Sequence, residues 1–186
     1  MRRDKARILD EYLVASAKAG DRAAFSQLAE RWQPKLLSHA YRLIGDSETA
    51  RDIVQDGWRD IIAGLSRLDD VALFPAWAYR IISRRAADTI RRLQRQRKLS
   101  TSYAYEPRPK AISSSSIEST ADRSALQKAI DALPPEQGAA IALHYLEGFS
   151  ISEISAALLV PAGTIKTRLM SARKKLRQSL KGENDE

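Results

Sequence analysis

Apolar positions recur at helical spacing along nearly the whole chain, and no stretch alternates in the manner of a strand. Ile8, Leu9, Tyr12 and Leu13 predict a first amphipathic helix ended by Gly20, with Asp21 placed to cap the next. Phe25, Leu28, Ala29 and Trp32 stripe that second helix. Pro34 suits the opening of a third, which carries Leu36, Leu37, Ala40, Tyr41 and Ile44 and closes at Gly45. Asp46 and Ser47 cap a fourth, whose core face reads Ala50, Ile53, Val54, Trp58, Ile61, Ile62 and Leu65. The run from Arg67 to Leu73 breaks the period and predicts a loop. Pro75 then starts a fifth helix with Phe74, Trp77, Ala78, Ile81, Ile82 and Leu93 among its apolar positions.

Residues 99–121 hold two prolines and a serine run without a sustained period, so they predict a flexible linker between helical domains at 1–98 and 122–186. Beyond it, Leu126, Ala129, Ile130 and Leu133 stripe a short helix. Pro134 and Pro135 separate this from another helix through Ile141, Ala142, Tyr145 and Leu146. From Gly148 to Leu180 the pattern is a helix, a tight connection and a second helix. Ser150 and Glu153 form an S-x-x-E capping box, Ile151, Ile154, Ala157 and Leu158 make an apolar stripe, and Val160-Pro161 stops the helix. The next begins near Ala162 with a stripe of Ile165, Leu169, Ala172 and Leu176, which turns Lys166, Thr167, Met170, Ser171 and Lys174 outward. Leu159 stands at the connection, where Gly or a small polar residue is more usual. The last five residues read as a frayed tail. The predicted fold class is all-α: two small helical domains joined by a flexible linker, the second with a helix-turn-helix.

Charge sharpens this picture. The 186 residues carry a net charge of +8 with 29% charged residues, which favours a polyanionic partner. Between Ala162 and Gly182 no side chain is acidic, whereas Lys166, Arg168, Arg173, Lys174, Lys175, Arg177 and Lys181 make a basic surface suited to phosphates. The later half of the fifth helix is also basic, with Arg80, Arg84, Arg85, Arg91, Arg92, Arg95, Arg97 and Lys98 against the single acid Asp88. Trp77 and Tyr79 beside it offer stacking surfaces for single-stranded nucleic acid, although Trp77 taken alone reads more readily as core. On the fourth helix Glu48, Asp52 and Asp56 follow at i, i+4 spacing, which costs a few tenths of a kcal/mol per pair and suits either a basic partner or a solvated face.

There is no cysteine, so disulfides, thiol catalysis and cysteine-based zinc sites are excluded. No run of about eighteen apolar residues and no signal-peptide core is present, which predicts a cytoplasmic protein without membrane insertion. His39 and His144 sit among apolar neighbours and read as core residues. Neither a catalytic triad nor a phosphate-cradling glycine loop is visible, so no enzyme activity, metal or cofactor is expected.

Four motifs in order resemble bacterial sigma factors of the small, two-domain extracytoplasmic-function type. SETARDIVQDGWRDI resembles the polymerase-docking helix and FPAWAYRI the helix that melts and holds the promoter minus-ten strand. ALPPEQ resembles the start of the second domain, and VPAGTIKTRLMSARKKL the helix that reads the minus-thirty-five element. The resemblance implies a sigma2-like domain over 1–98 and a sigma4-like domain over 122–186. It implies polymerase contacts at Asp52, Gln55 and Asp56, and minus-ten contacts at Leu68, Asp69, Asp70, Trp77, Tyr79, Arg80 and Arg84. Minus-thirty-five contacts are implied at Thr164, Lys166, Thr167, Arg168, Met170, Ser171, Arg173 and Lys174. Core RNA polymerase, promoter DNA and an anti-sigma protein are the implied partners of a chain monomeric when free. Gly57 in mid-helix, Ile82-Ser83-Arg84 after the aromatic motif, and the Met170-Ser171 reading face depart from the family pattern.

Two rivals stand beside this reading. A helix-turn-helix regulator acting without polymerase would leave the acidic fourth helix and the aromatic, basic fifth helix without a task. A sigma mimic that sequesters an anti-sigma protein would not need the basic recognition helix, so DNA affinity discriminates it.

Overall fold

Acidic caps and left-handed glycines set the helix boundaries of the N-terminal half. The computed structural model describes residues 2–100, 129–130 and 132–182. It contains α1 (Arg2–Lys18), α2 (Arg22–Ile44), α3 (Ser47–Gly64), α4 (Phe74–Ser100), α5 (Pro135–Tyr145), α6 (Ile151–Leu158) and α7 (Ala162–Gly182), with no strand among the described residues. The Asp21 carboxylate accepts from the amides of Ala23 at 2.8 Å and Ala24 at 3.1 Å, which satisfies two orphan donors of α2. Asp46 does the same for α3 through Thr49 at 2.8 Å. The expected linker falls almost entirely outside the described residues, as do Leu126 and the end of the tail, and α4 runs on to Ser100.

Pro34 does not open a helix; it lies inside α2, which is continuous from Arg22 to Ile44. A proline there removes a hydrogen bond to the carbonyl four residues back and costs about 3 kcal/mol in a helix interior. Packing outweighs it. Ala24, Leu28, Trp32, Leu36 and Ala40 are all buried at spacings of four, so one core face runs straight past the proline. Pro34 itself is exposed, which leaves the unpaired carbonyl side open to water.

The face of α1 is also rotated from expectation. Asp10 is buried and paired with Arg31 of α2 at 2.9 Å, and Leu13 and Val14 share its side of the helix. That seat leaves Ile8 and Tyr12 outward, 64% and 65% exposed. Ile62, Tyr145 and Leu146, expected in stripes, are exposed as well, while Ile61, Ile141 and Ala142 are buried. The expected loop before α4 holds two 3₁₀ turns, Leu65–Arg67 and Val71–Leu73, the second capped by Asp70 accepting from Ala72 at 2.9 Å.

Gly57 gains a reason. A side chain there would run into the Cδ1 of the fully buried Ile82, so the glycine permits the close approach of α3 to α4. Aromatic rings fill the centre: Trp32 meets Phe74 at 5.3 Å and Tyr79 at 5.7 Å, both edge to face. Beside them the buried His39 shares a 2.9 Å hydrogen bond with Ser83 between α2 and α4.

Burial, assisted by the nearby Arg42 charge, lowers the His39 pKa to about 3. An unfolded histidine titrates near 6.5, so between those values the unfolded chain binds more protons and stability falls as the pH falls. From pH 7 to pH 5 this one group should remove about 2 kcal/mol. In urea titrations the wild type should lose about 2 kcal/mol more stability than His39→Gln between pH 7 and pH 5; equal losses would refute a neutral buried imidazole.

In the C-terminal half the capping box forms as expected. Ser150 Oγ accepts from the Glu153 amide at 3.2 Å, and the Glu153 carboxylate accepts from the Ser150 amide at 2.8 Å. Ile165, Leu169, Ala172 and Leu176 seat α7 on α5 and α6. The two halves do not lie apart. Helix α6 packs along α4 and α5 against α2, and the buried residues of both halves belong to one cluster.

Candidate nucleic-acid interface

Helix α3 commits Ala50, Ile53, Val54, Gly57 and Ile61 to the core, so its opposite face must meet solvent or a partner. Glu48, Asp52 and Gln55 are exposed there and Asp56 is half-exposed, its carboxylate accepting from Arg59 one turn on. The acidic stripe of Glu48, Asp52 and Asp56 continues one step further, to Asp60, at the same spacing of four. Arg85 of α4 grips Asp60 with a two-pronged pair, Nε at 2.7 Å and Nη2 at 2.6 Å, which holds that carboxyl below the usual carboxylate range. Asp60 thus ties the acidic helix to the basic one.

The outer face of α4 presents Arg80, Arg84, Arg92 and Arg95, all exposed, while Arg91 pairs with Asp88. Trp77 is half-buried against Phe74 at 6.1 Å, leaving part of its ring accessible. Asp69 and Asp70 are exposed. Leu68 and Tyr79, expected to meet the minus-ten strand, are instead core residues here. Leu68 is buried beneath the loop, its carbonyl accepting from Lys18, and Tyr79 is 2% exposed.

On α7, Thr164, Lys166, Thr167, Met170, Arg173 and Lys174 are exposed, Met170 to 64%, and Ser171 is half-buried at the edge of the same face. The Thr167 hydroxyl donates to the Gly163 carbonyl at 3.1 Å and Arg173 Nε to the Leu169 carbonyl at 3.1 Å. Arg168 departs from its expected place. Its side chain is 17% exposed and pairs with Glu136 at the start of α5, so it fastens α7 to α5 within the C-terminal half rather than facing outward. The connection between α6 and α7 turns on Leu159, whose φ of 59° is left-handed. A non-glycine residue there costs about 1 to 2 kcal/mol. Leu159→Gly should therefore raise stability by about 1 kcal/mol, read as a higher urea midpoint at unchanged slope; a lower midpoint would show that the half-exposed leucine packs usefully.

The chain matches the family model for Sigma-70 region 2 over residues 28–96 and that for Sigma-70, region 4 over residues 123–176. It is 32% identical over 171 residues to the ECF RNA polymerase sigma factor SigM of Mycobacterium tuberculosis, a match covering 92% of this chain and 84% of the relative. It is 27% identical over 177 residues to the ECF RNA polymerase sigma factor SigW of Bacillus subtilis, covering 90% and 95%. Among solved structures, the sigma factor RpoE from Bartonella quintana, in complex with the anti-sigma factor NepR, matches with a TM-score of 0.64 at 26% identity over 84% of this chain and 96% of that chain. The chain belongs to the extracytoplasmic-function (ECF) sigma factors of the sigma-70 family. It is a non-enzymatic transcription initiation factor whose partners are core RNA polymerase and promoter DNA. Among the described residues no helix is long and apolar enough to cross a membrane, and no cluster of side chains suits a metal ion.

Proposed function

We propose that residues 1–98 dock on core polymerase and hold the minus-ten element, that 122–186 read the minus-thirty-five element, and that 99–121 tether the two. The observation that carries this division is the separation of surfaces: an acidic, uncovered face on α3, and basic outer faces on α4 and α7. Asp52, Gln55 and Asp56 meet the polymerase. Asp69, Asp70, Trp77, Arg80 and Arg84 meet the minus-ten strand, with Leu68 and Tyr79 supporting that surface from beneath. On α7, Thr164, Lys166, Thr167, Met170 and Ser171 face base edges, and Arg173 and Lys174 face phosphates. Arg168 acts by anchoring the helix.

The factor works in the cytoplasm, as a monomer when free. The pairing of the similar RpoE with NepR supports an anti-sigma protein as a further partner. Run-off transcription with core polymerase and a pool of genomic fragments tests the whole assignment. Discrete promoter-dependent transcripts are expected; DNA binding without transcripts would favour a regulator that works without polymerase.

A further inference from the structure

Asp69 and Asp70, assigned above to the minus-ten strand, stand on a connection that secures itself only in pieces. Between α3 and α4 the first 3₁₀ turn closes as the Leu68 amide donates to the Leu65 carbonyl at 3.2 Å. The second closes as the Leu73 amide donates to the Asp70 carbonyl at 3.1 Å, with the Asp70 carboxylate capping it through the Ala72 amide. Leu68 and Asp70 themselves are extended, with ψ of 105° and 113°. None of these bonds crosses from one turn to the other, so local bonding leaves the direction of Asp69 open.

What fixes it comes from α1. The second turn packs on that helix, and on the first the Leu68 side chain is buried while its carbonyl accepts from the Lys18 ammonium, 50 positions earlier in the chain. A peptide unit is planar and trans, so its N–H points opposite to its C=O. Holding the Leu68 carbonyl toward α1 therefore turns the Asp69 amide away from α1 and sets the plane from which the exposed Asp69 side chain departs. Lys18 is half-buried in the last turn of α1, and its partner is a carbonyl rather than a carboxylate. It also precedes the region 2 match, which begins at residue 28.

We infer that Lys18 is a positioning residue for minus-ten capture: it holds the Leu68 carbonyl so that Asp69 and Asp70 are presented in one orientation. The inference deepens the assignment of this loop to the minus-ten strand and rests on it. A loop free to sample other orientations binds in proportion to the time it spends in the competent one. If that fraction falls to about one in ten without Lys18, strand affinity falls about tenfold.

The test pairs Lys18→Met, which keeps an unbranched stem and removes the donor, with Lys18→Arg, which restores a charged donor. Each variant is assembled with core polymerase and titrated with a fluorescent single strand carrying the minus-ten segment of a promoter recovered by run-off transcription, at two salt concentrations. Lys18→Met should weaken strand binding about tenfold with the salt slope unchanged, and Lys18→Arg should recover most of the loss. Binding of a minus-thirty-five duplex and affinity for core polymerase should not move. In the free protein, hydrogen exchange of the amides from Asp69 to Leu73 should quicken in Lys18→Met and not in Lys18→Arg. Unchanged strand binding by Lys18→Met, or no rescue by arginine, would overturn the inference. A loss that flattens the salt slope by about 0.7 would overturn it too, making Lys18 a phosphate contact on the strand. An equal loss on the minus-thirty-five duplex would reduce the effect to general destabilisation. A wild-type holoenzyme that does not hold the strand overturns the minus-ten assignment, whereas unchanged exchange in Lys18→Met overturns the clamp itself, so the two failures are distinguishable.

Discussion

Gln55→Ala combined with Asp56→Ala is expected to lower affinity for core RNA polymerase at least tenfold while leaving the helical circular-dichroism signal intact. The other face of α3 is committed to the core by Ile53, Val54, Gly57 and Ile61, so these two outward side chains carry no packing whose loss would unfold the helix. Asp56 spends its charge on Arg59 in the free chain, an exposed pair of the kind worth little by itself. Burying that carboxylate against a basic partner changes its weight, because truncating one member of a buried, hydrogen-bonded charge pair typically costs about 2 to 5 kcal/mol. Titration of labelled core polymerase with wild type and variant measures the effect. A wild type with no affinity for core polymerase would remove α3 as a docking helix, and an unchanged variant would move the contact elsewhere on it.

The second large effect concerns α7, whose exposed residues should divide into two kinds. Arg173→Ala with Lys174→Ala is expected to weaken DNA binding about tenfold on every sequence and to flatten the logarithmic salt dependence by about 2, since each lost phosphate contact removes about 0.9 from that slope. Lys166→Ala or Thr167→Ala should instead cost about 1 to 3 kcal/mol on the preferred minus-thirty-five sequence and little on others. Thr167 must give up its bond to the Gly163 carbonyl to use its hydroxyl on a base, which makes its share the smaller. Binding isotherms on a panel of duplexes at two salt concentrations separate the classes. Equal losses on all sequences for both pairs would remove the base-reading face.

Local chemistry was legible in the sequence wherever the deciding partners lie within a few residues. The Ser150–Glu153 box, the Asp21 and Asp46 caps, the left-handed Gly45 and the stripe of α7 all formed where spacing put them. Pro34 misled because a local cost was read without the burial on both sides of it. Ile8 and Tyr12 misled for the converse reason: the Asp10–Arg31 pair, 21 residues apart in the chain, decides which side of α1 faces inward. Asp60 was within reach, since it continues the spacing of the acidic stripe. Nothing short of tertiary structure identified Lys18, because its partner Leu68 lies 50 positions away and no motif marks it.

The acidic face of α3 lies away from the seam between the halves, with α3 packing chiefly on α2 and α4. Capture by polymerase therefore does not have to wait for any internal rearrangement. Capture is then a simple bimolecular step, accelerated by opposite charge and sensitive to ionic strength. In stopped-flow mixing, the rate of capture should therefore rise in proportion to polymerase concentration, without a preceding lag, and fall as salt is added.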